Sequence, residues 1–410
     1  MTDVVDLADK SFWSRPLPER AAAFRWLRAQ ERPRFFTEFE LPELERPVGF
    51  YALVRHADVS EASRNPGVFS STRDMTWVPA EFSEYFTSMI NMDNPRHARL
   101  RRIVSRAFSP RMVVRFEDNV RRTATAIVDD LLAAGPGDFV SQVAAPLPLK
   151  VICDSMGIPD EHFEVVLAHS STIIPNFDPE LLSDDPVEAM NKQLVAARAL
   201  AGLVNELAVA RAAAPGDDLT SALVTADIDG EKLSQAELVS FFILLVIAGS
   251  DTTRHALAHA LLLLTEFGDQ RALLLSDLDD RLDGAVEEIV RCGSPVLGVE
   301  RTLTTDYTMN GQDYRKGDRV MLSYYSANRD ETVFAAPERF DITRAPNPHL
   351  GFGGAGPHFC LGNHLARLEL TIMLRELLTR VPDITVGDPD LLRSSFTNGI
   401  KRLPCHFGGR

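Results

Sequence analysis

Hydrophobic positions along this chain recur mainly with a helical period. Ala98 to Phe108, Phe116 to Ala134, Val187 to Ala213 and Leu361 to Arg380 carry that pattern, and Gly135-Pro136-Gly137 and Pro215-Gly216 break it. The longest predicted helix starts at Ser234, an N-cap with Glu237 three residues on, and runs to Thr265 before Gly268. At 1.5 Å per residue it spans about 48 Å, so it must cross the core. Strand signals are local. Phe50 to Val54 is one, and Tyr307 to Tyr325 reads as hairpin material turning at Asn310-Gly311, a pair suited to positive φ. Asp178 to Pro186, acidic and containing proline, predicts an exposed loop.

Composition narrows the partners. The chain has 410 residues, 45% of them hydrophobic and 25% charged, and its 43 basic against 58 acidic side chains leave a net charge of −15. Such a surface repels a nucleic-acid backbone or an anionic membrane, so no nucleic-acid partner is expected. With no repeat and no long linker, one domain over 1–410 is the simplest reading. The longest uninterrupted apolar run, Phe241 to Ala248, falls short of the roughly 20 residues of a membrane span. The start of the chain, with Asp3, Asp6, Asp9 and Lys10, has no signal-peptide core. A cytoplasmic protein without a transmembrane anchor is expected. Cys153, Cys292, Cys360 and Cys405 are too scattered for a disulfide framework or a zinc site, so any working cysteine must be recognised by its surroundings.

Cys360 has such surroundings. It ends a glycine-rich stretch, Gly351-Phe352-Gly353-Gly354-Ala355-Gly356-Pro357-His358-Phe359-Cys360-Leu361-Gly362, directly before a helix-forming run. A helix N-terminus favours a thiolate, but by only about 0.3 to 1 kcal/mol; full deprotonation in an apolar setting calls for a bound metal. Glycines would let backbone N–H groups approach the sulfur, and Gly362 would let the helix lie against a flat ring. A lone cysteine is otherwise most simply a buried structural residue. The glycine pattern, with His358 two residues before the cysteine, turns the reading toward a ligand.

The segment resembles the cysteine loop of the cytochrome P-450 superfamily, with Gly354, Gly356, His358 and Gly362 in the family's places. It differs by one extra residue, which puts Phe352 one position further from Cys360 than the family's usual aromatic and Gly353 in its place. Ala248-Gly249-Ser250-Asp251-Thr252-Thr253, inside the long helix, is similar to the family's oxygen-activation motif. The physical case stands beside it. An acid buried in an apolar helix needs a partner, and a mid-helix threonine can bond the carbonyl four residues back, that of Ala248. Glu288 and Arg291 sit three apart on a predicted helix and can pair, and Pro337-Glu338-Arg339-Phe340 follows where the family places a third partner.

The resemblance covers about Gly49 to Pro404 and implies the rest. The fold would be mainly α (α+β), a helix-rich single domain with a long central helix and small peripheral β-sheets. Its cofactor would be haem b on the Cys360 thiolate, with His97, Arg101, Arg301 and His358 toward the propionates and Ala248, Gly249, Phe352, Gly354 and Gly362 around the ring. Arginine suits a carboxylate because its fork engages both oxygens. Asp251 and Thr252 would deliver protons to bound O2, and Glu288, Arg291 and Arg339 would form a structural network. Two electrons would come from an acidic ferredoxin with its NAD(P)H-dependent reductase, docked on those of the seven arginines between Arg96 and Arg115 that the haem does not use. Asn91-Met92-Asp93-Asn94-Pro95-Arg96-His97 and Asn347-Pro348-His349-Leu350-Gly351-Phe352 are among the stretches similar to mycobacterial hydroxylases of methyl-branched lipids and sterol side chains. By that likeness Met89, Ile90, Ile173, Ile174, Phe177, Val296, Leu297 and Phe396 would line a pocket for a lipid-like substrate. A terpenoid or macrolide substrate, or a haem-thiolate enzyme driven by peroxide, is the alternative. A cysteine hydrolase built on Cys360 and His358 lacks an orienting acid and an oxyanion hole, and a haem-free lipid carrier would leave the cysteine loop without purpose.

Overall fold

The computed structural model describes residues 5–39, 47–72, 88–107, 110–173, 176–183, 185–227 and 230–408. Its longest helix, Gln235–Glu266, begins as predicted. Ser234 accepts from the Glu237 N–H, and the Glu237 carboxylate accepts from the Ser234 N–H, which satisfies two donors that a bare helix end would leave open. Around this long helix pack the helices Pro146–Met156, Pro186–Ala213, Leu278–Gly293 and Asn363–Arg380.

Two apolar clusters meet on the long helix and define where it is useful. Leu238, Phe242 and Val246 join Ile152, Ile173, Leu200 and Val204 in one cluster, while Ala256, Leu261 and Leu264 join Val286, Ile289, Leu374 and Leu377 in the other. Between them the helix carries a polar seam, Ser250 to His255, and there Ala248 is exposed although it lies in the middle of a core helix. By length and composition, the long helix and Val187–Ala213 could each cross a membrane, but 56% and 50% of their most apolar windows are buried inside the fold. An unbroken apolar run underestimates such helices, because single polar residues interrupt it.

Strands are few. β1 (Phe35–Phe39), β2 (Val48–Leu53), β3 (Phe69–Ser70), β4 (Gly298–Leu303) and β7 (Arg319–Ser323) form one sheet in the order β1-β2-β7-β4-β3, with β2 and β7 parallel. β5 (Tyr307–Met309) and β6 (Gln312–Tyr314) make the predicted hairpin, with Asn310 at φ 52° and Gly311 at φ 71°, the signs a type I′ turn needs. Near the C-terminus β8 (Thr385–Val386) pairs with β11 (Cys405–His406), and β9 (Asp390–Leu391) with β10 (Ile400–Arg402).

The acidic segment after Phe177 differs from expectation at its start. Asp178 is fully buried, accepting from the Arg393 N–H at 3.1 Å and facing Lys401 at 3.2 Å, and Glu180 lies 2.7 Å from Lys401. These bonds tie it to β10. Two cations in β10 supply what the local sequence lacks.

Candidate functional site

Cys360 lies just before the Asn363–Arg380 helix, whose N-cap is Gly362. Its own N–H donates to Phe352 O at 2.9 Å, so the loop closes on itself around the sulfur. Burial pushes the Cys360 thiol up; the Gly362 N–H, Arg101 and Arg367 pull the other way without overcoming it. The helix end alone therefore does not make a thiolate. Residue 353, the extra position, is a glycine at φ 89°, which absorbs the insertion in a backbone conformation that a side chain disfavours. Phe352 keeps an ordered place, with the Arg367 guanidinium 4.2 Å over its ring.

The loop glycines serve packing. A Cβ on Gly354 would strike the Ser63 side chain, and one on Gly356 the Ser63 carbonyl, so both let the loop lie against the helix His56–Arg64. Close packing is what the structure shows for these two, while the glycine whose N–H acts on the sulfur is Gly362. A Cβ on Gly362 would meet nothing within 4 Å, consistent with an open face there. Gly249 is also a packing glycine, its Cβ position lying 3.0 Å from Ile152.

Four basic side chains from distant segments converge beside this loop. The His97 and His358 rings lie against each other, centroids 4.2 Å apart and planes tilted by 36°. Arg101 donates to Phe359 O at 2.7 Å, and Arg301 shares a cleft with His358, Tyr324 and Gly354. Burial, then Arg301 and His97, drive the His358 pKa down to about 3; burial and Arg101 lower that of His97. Asp93 is the carboxylate that acts on both rings, and it does not offset these effects. Such crowding of basic groups, two of them guanidiniums, suits a ligand carrying carboxylates. With a soft sulfur ligand, two guanidiniums and the open faces at Gly362 and Ala248, the residues present fit a haem. Ser71, whose hydroxyl is 2.9 Å from His358 Nε2, escaped the sequence reading because no local pattern marks it.

On the long helix, Thr252 Oγ1 donates to Ala248 O at 2.8 Å, as expected, but the helix remains continuous. Asp251 is buried at 5% exposure and paired with Arg254 and His255. Burial would raise its pKa; Arg254 and His255 outweigh that and hold it at about 2. Asp251 is thus a carboxylate with partners of its own, adjacent in sequence to Thr252, whose hydroxyl turns instead to the helix backbone.

The structural network needs one correction. Arg291 makes a two-pronged pair with Glu288, Nε to Oε2 at 2.8 Å and Nη2 to Oε1 at 2.7 Å, with both residues fully buried. The third side chain is Arg344, its Nε 3.1 Å from Glu288, not Arg339. Arg339 gives only its backbone carbonyl, to Arg291 at 3.0 Å, and sends its guanidinium outward to Asp269 at 2.6 Å.

The pocket residues divide. Met89 and Ile173 belong to the cluster on the first half of the long helix, and Leu297 N–H donates to Phe396 O at 2.7 Å beside the Val296 to Thr397 bridge. Phe177 is joined to the same segment through Arg393 O at 3.1 Å. Leu297, 1% exposed, belongs to the N-terminal cluster of Phe12, Trp13 and Phe24, against which Phe177 also packs. Ile90 is 40% exposed. Ile174 lies outside the described residues.

A buried acid missed by sequence reasoning lies against the seam. Glu369, 1% exposed, has Oε1 without a partner among the described residues; Thr253 bonds its carboxyl, and burial lifts its pKa to about 8. The native protein therefore holds this proton more tightly than the unfolded chain, and stability falls as pH rises from the ordinary value of 4.5 toward about 8. The full alkaline cost is on the order of 5 kcal/mol at about 1.4 kcal/mol per pH unit. Glu369→Gln should match the wild type near pH 5 and resist urea better at pH 9; parallel pH curves for the two proteins would contradict the assignment.

A cytochrome P450 family model matches residues 197–381. The methyl-branched lipid omega-hydroxylase of Mycobacterium tuberculosis is 44% identical over 406 residues, covering 98% of this chain and 94% of that protein. The steroid C26-monooxygenase of Mycolicibacterium smegmatis is 38% identical over 371 residues, covering 88% and 84%. Among solved structures, a Mycobacterium marinum cytochrome P450 in complex with pseudoionone superposes with a TM-score of 0.91 at 41% identity, covering 99% of each chain. With likeness of that extent laid over a cysteine loop, a seam on the long helix and a converging set of basic side chains, this chain belongs to the cytochrome P450 family of haem-thiolate monooxygenases.

Proposed function

We propose that this enzyme hydroxylates the terminal methyl of a methyl-branched fatty acid, isoprenoid or sterol side chain, in the cytoplasm, with electrons from an acidic ferredoxin. The observation that carries the substrate class is the 44% identity, sustained over 98% of the chain, to a methyl-branched lipid omega-hydroxylase. The apolar character of Met89, Ile173, Phe177, Val296 and Phe396 is compatible with it.

Haem b would be held by Cys360, with Arg101, Arg301, His97 and His358 toward its carboxylates. When bound it supplies the O2 activation that no side chain can perform. The protein's part is orientation and protons. Asp251 takes up a proton from water and passes it to the Thr252 oxygen, which releases its own hydroxyl proton toward the reacting oxygen and must first leave Ala248 O. Apolar walls exclude water that would otherwise divert the electrons to peroxide.

For the ferredoxin, Arg99 and Arg102 are already engaged with Glu237 at 2.9 Å and with Glu231. Arg102 stays about half exposed, and a surface pair of this kind is weak enough to yield to a partner. The side chain of Arg106 lies outside the described residues.

Branched fatty acids, sterols and pseudoionone are titrated into the ferric enzyme, and products are identified after turnover with ferredoxin at low and high salt. The expected result is a low-to-high-spin shift with branched lipids, product oxidised at the terminal methyl, and turnover that weakens as salt rises. Oxidation at ring or internal carbons alone would overturn the substrate class, and turnover indifferent to salt would overturn the docking surface.

A further inference from the structure

Asp251 is served by two donors of different kinds. Arg254 Nη2 donates to Oδ1, and His255 Nε2 faces Oδ2 at 3.4 Å, a contact longer than an ordinary hydrogen bond. The other ring nitrogen of His255, Nδ1, receives the backbone N–H of Ile400 at 3.2 Å. A backbone N–H can only donate, so Nδ1 carries no proton and the neutral ring must carry it on Nε2. His255 is 1% exposed, and burial together with Arg254 disfavours its cation more than Asp251 favours it. Arg254 Nη2, itself only a donor, also lies 3.2 Å from His255 Nε2 and competes for that nitrogen; the proton is assigned to Nε2 because the Asp251 carboxylate lies on that side.

The ring has little freedom to do otherwise. A Cβ on Gly399 would lie 3.0 Å from His255 Nε2 and 2.8 Å from Leu392, so the strand backbone is pressed against the imidazole. The charged neighbours are few. Arg254 and His255 are the groups acting on Asp251; further along the same helix face comes His259, bonded to Asn398 O at 2.8 Å, with Arg20 and Arg329 beyond it. Glu369 stands on the facing helix, bonded to Thr253.

We propose that His255 is a positioning residue for oxygen activation: its Nε2–H, oriented by the Ile400 N–H, holds the Asp251 carboxylate and sets the pH range over which Asp251 relays protons to Thr252. This rests on the assignment of Asp251 and Thr252 as the proton route. The relay is balanced. Asp251 gains one proton from water and gives one to Thr252, Thr252 gives one onward, and both end as they began, while the electrons come from the redox partner. Because β10 directly follows the segment bearing Phe396, the orientation of the acid is fixed by the same piece of chain that walls the candidate pocket.

The test compares haem-loaded wild type with His255→Leu, His255→Gln and Asp251→Asn, measuring hydroxylated product per NAD(P)H against pH. Leucine fills the space without a donor; the glutamine amide can donate from nearly the position of Nε2. Losing one hydrogen bond to a buried carboxylate raises its pKa by about one unit. His255→Leu should therefore move the acid limb of the coupling profile upward by about one pH unit and lower coupling several-fold, with His255→Gln close to wild type. In the ferrous carbonyl protein, 15N NMR should show His255 protonated at Nε2. Leu and Gln variants that both follow the wild-type profile while Asp251→Asn departs from it would overturn the role of His255 and leave the proton route standing. An unchanged profile in Asp251→Asn would instead remove the proton route. A proton on Nδ1 would overturn the positioning geometry even where the leucine variant does not fold.

Discussion

A Cys360→Ser enzyme will show no long-wavelength thiolate Soret band in its reduced, carbon-monoxide-bound spectrum and no measurable hydroxylation. Serine keeps the shape of the loop but offers an oxygen that stays protonated, so it can neither hold the iron with a soft anionic ligand nor donate electron density to it. The loss should exceed the roughly 10- to 100-fold that follows removal of an outer-shell partner of a metal ligand. The comparison that gives the result its meaning is with the other three cysteines. Cys153 and Cys292 are buried, with thiols pushed up to about 12 and about 11, and Cys405 is buried and raised as well. Their serine variants should lose some stability through a hydroxyl placed in apolar packing yet keep the band. A thiolate spectrum surviving in Cys360→Ser, or lost in one of the others, would move the ligand elsewhere.

Removing the carboxylate of Glu288 should be the most damaging change away from the haem. Arg291 has no exposure, and Arg344 has 10% side-chain exposure; both point at that carboxylate, so Glu288→Ala leaves buried cations without their anion. Breaking a buried pair from one side costs about 3 to 5 kcal/mol, against the roughly 5 to 15 kcal/mol that holds a typical domain. Little soluble, haem-loaded protein is expected. The remaining arginines grade the effect. Arg344→Ala removes a cation 3.1 Å from Glu288 and should cost about 2 kcal/mol, whereas Arg339→Ala loses only a surface pair with Asp269, both partners more than half exposed, and should cost under about 1 kcal/mol. Urea midpoints of the two variants decide the order; a larger loss in Arg339→Ala would restore the arrangement expected from the Pro337 to Phe340 segment.

That exchange of Arg344 for Arg339 shows where reading by position stops. Both arginines stand in one short loop, and the motif names the first. Which guanidinium turns inward depends on the path of residues 335 to 347 over the Leu278–Gly293 helix, where Arg344 also bonds Ala335 O at 2.8 Å and Asn347 reaches Glu288 at 3.1 Å. Residues around Cys360 behaved similarly. The loop was recognisable from its spacing, but the neighbours that Gly354 and Gly356 must accommodate belong to a helix near the start of the chain, ending at Arg64.

Features settled within a few residues were legible in the chain alone. The Ser234 and Glu237 capping box, the positive φ at Asn310 and Gly311, the Glu288 and Arg291 pairing across one helical turn, and the Thr252 bond to Ala248 are local, because hydrogen bonds three or four residues apart are set by backbone geometry. The partners of buried charge emerged only from the folded packing. Asp178 with Lys401, Glu369 beneath Thr253, and His255 between Asp251 and Ile400 join segments far apart in the chain. A charge removed from water must find a counterpart wherever packing delivers one, and no pattern along the chain records where that will be.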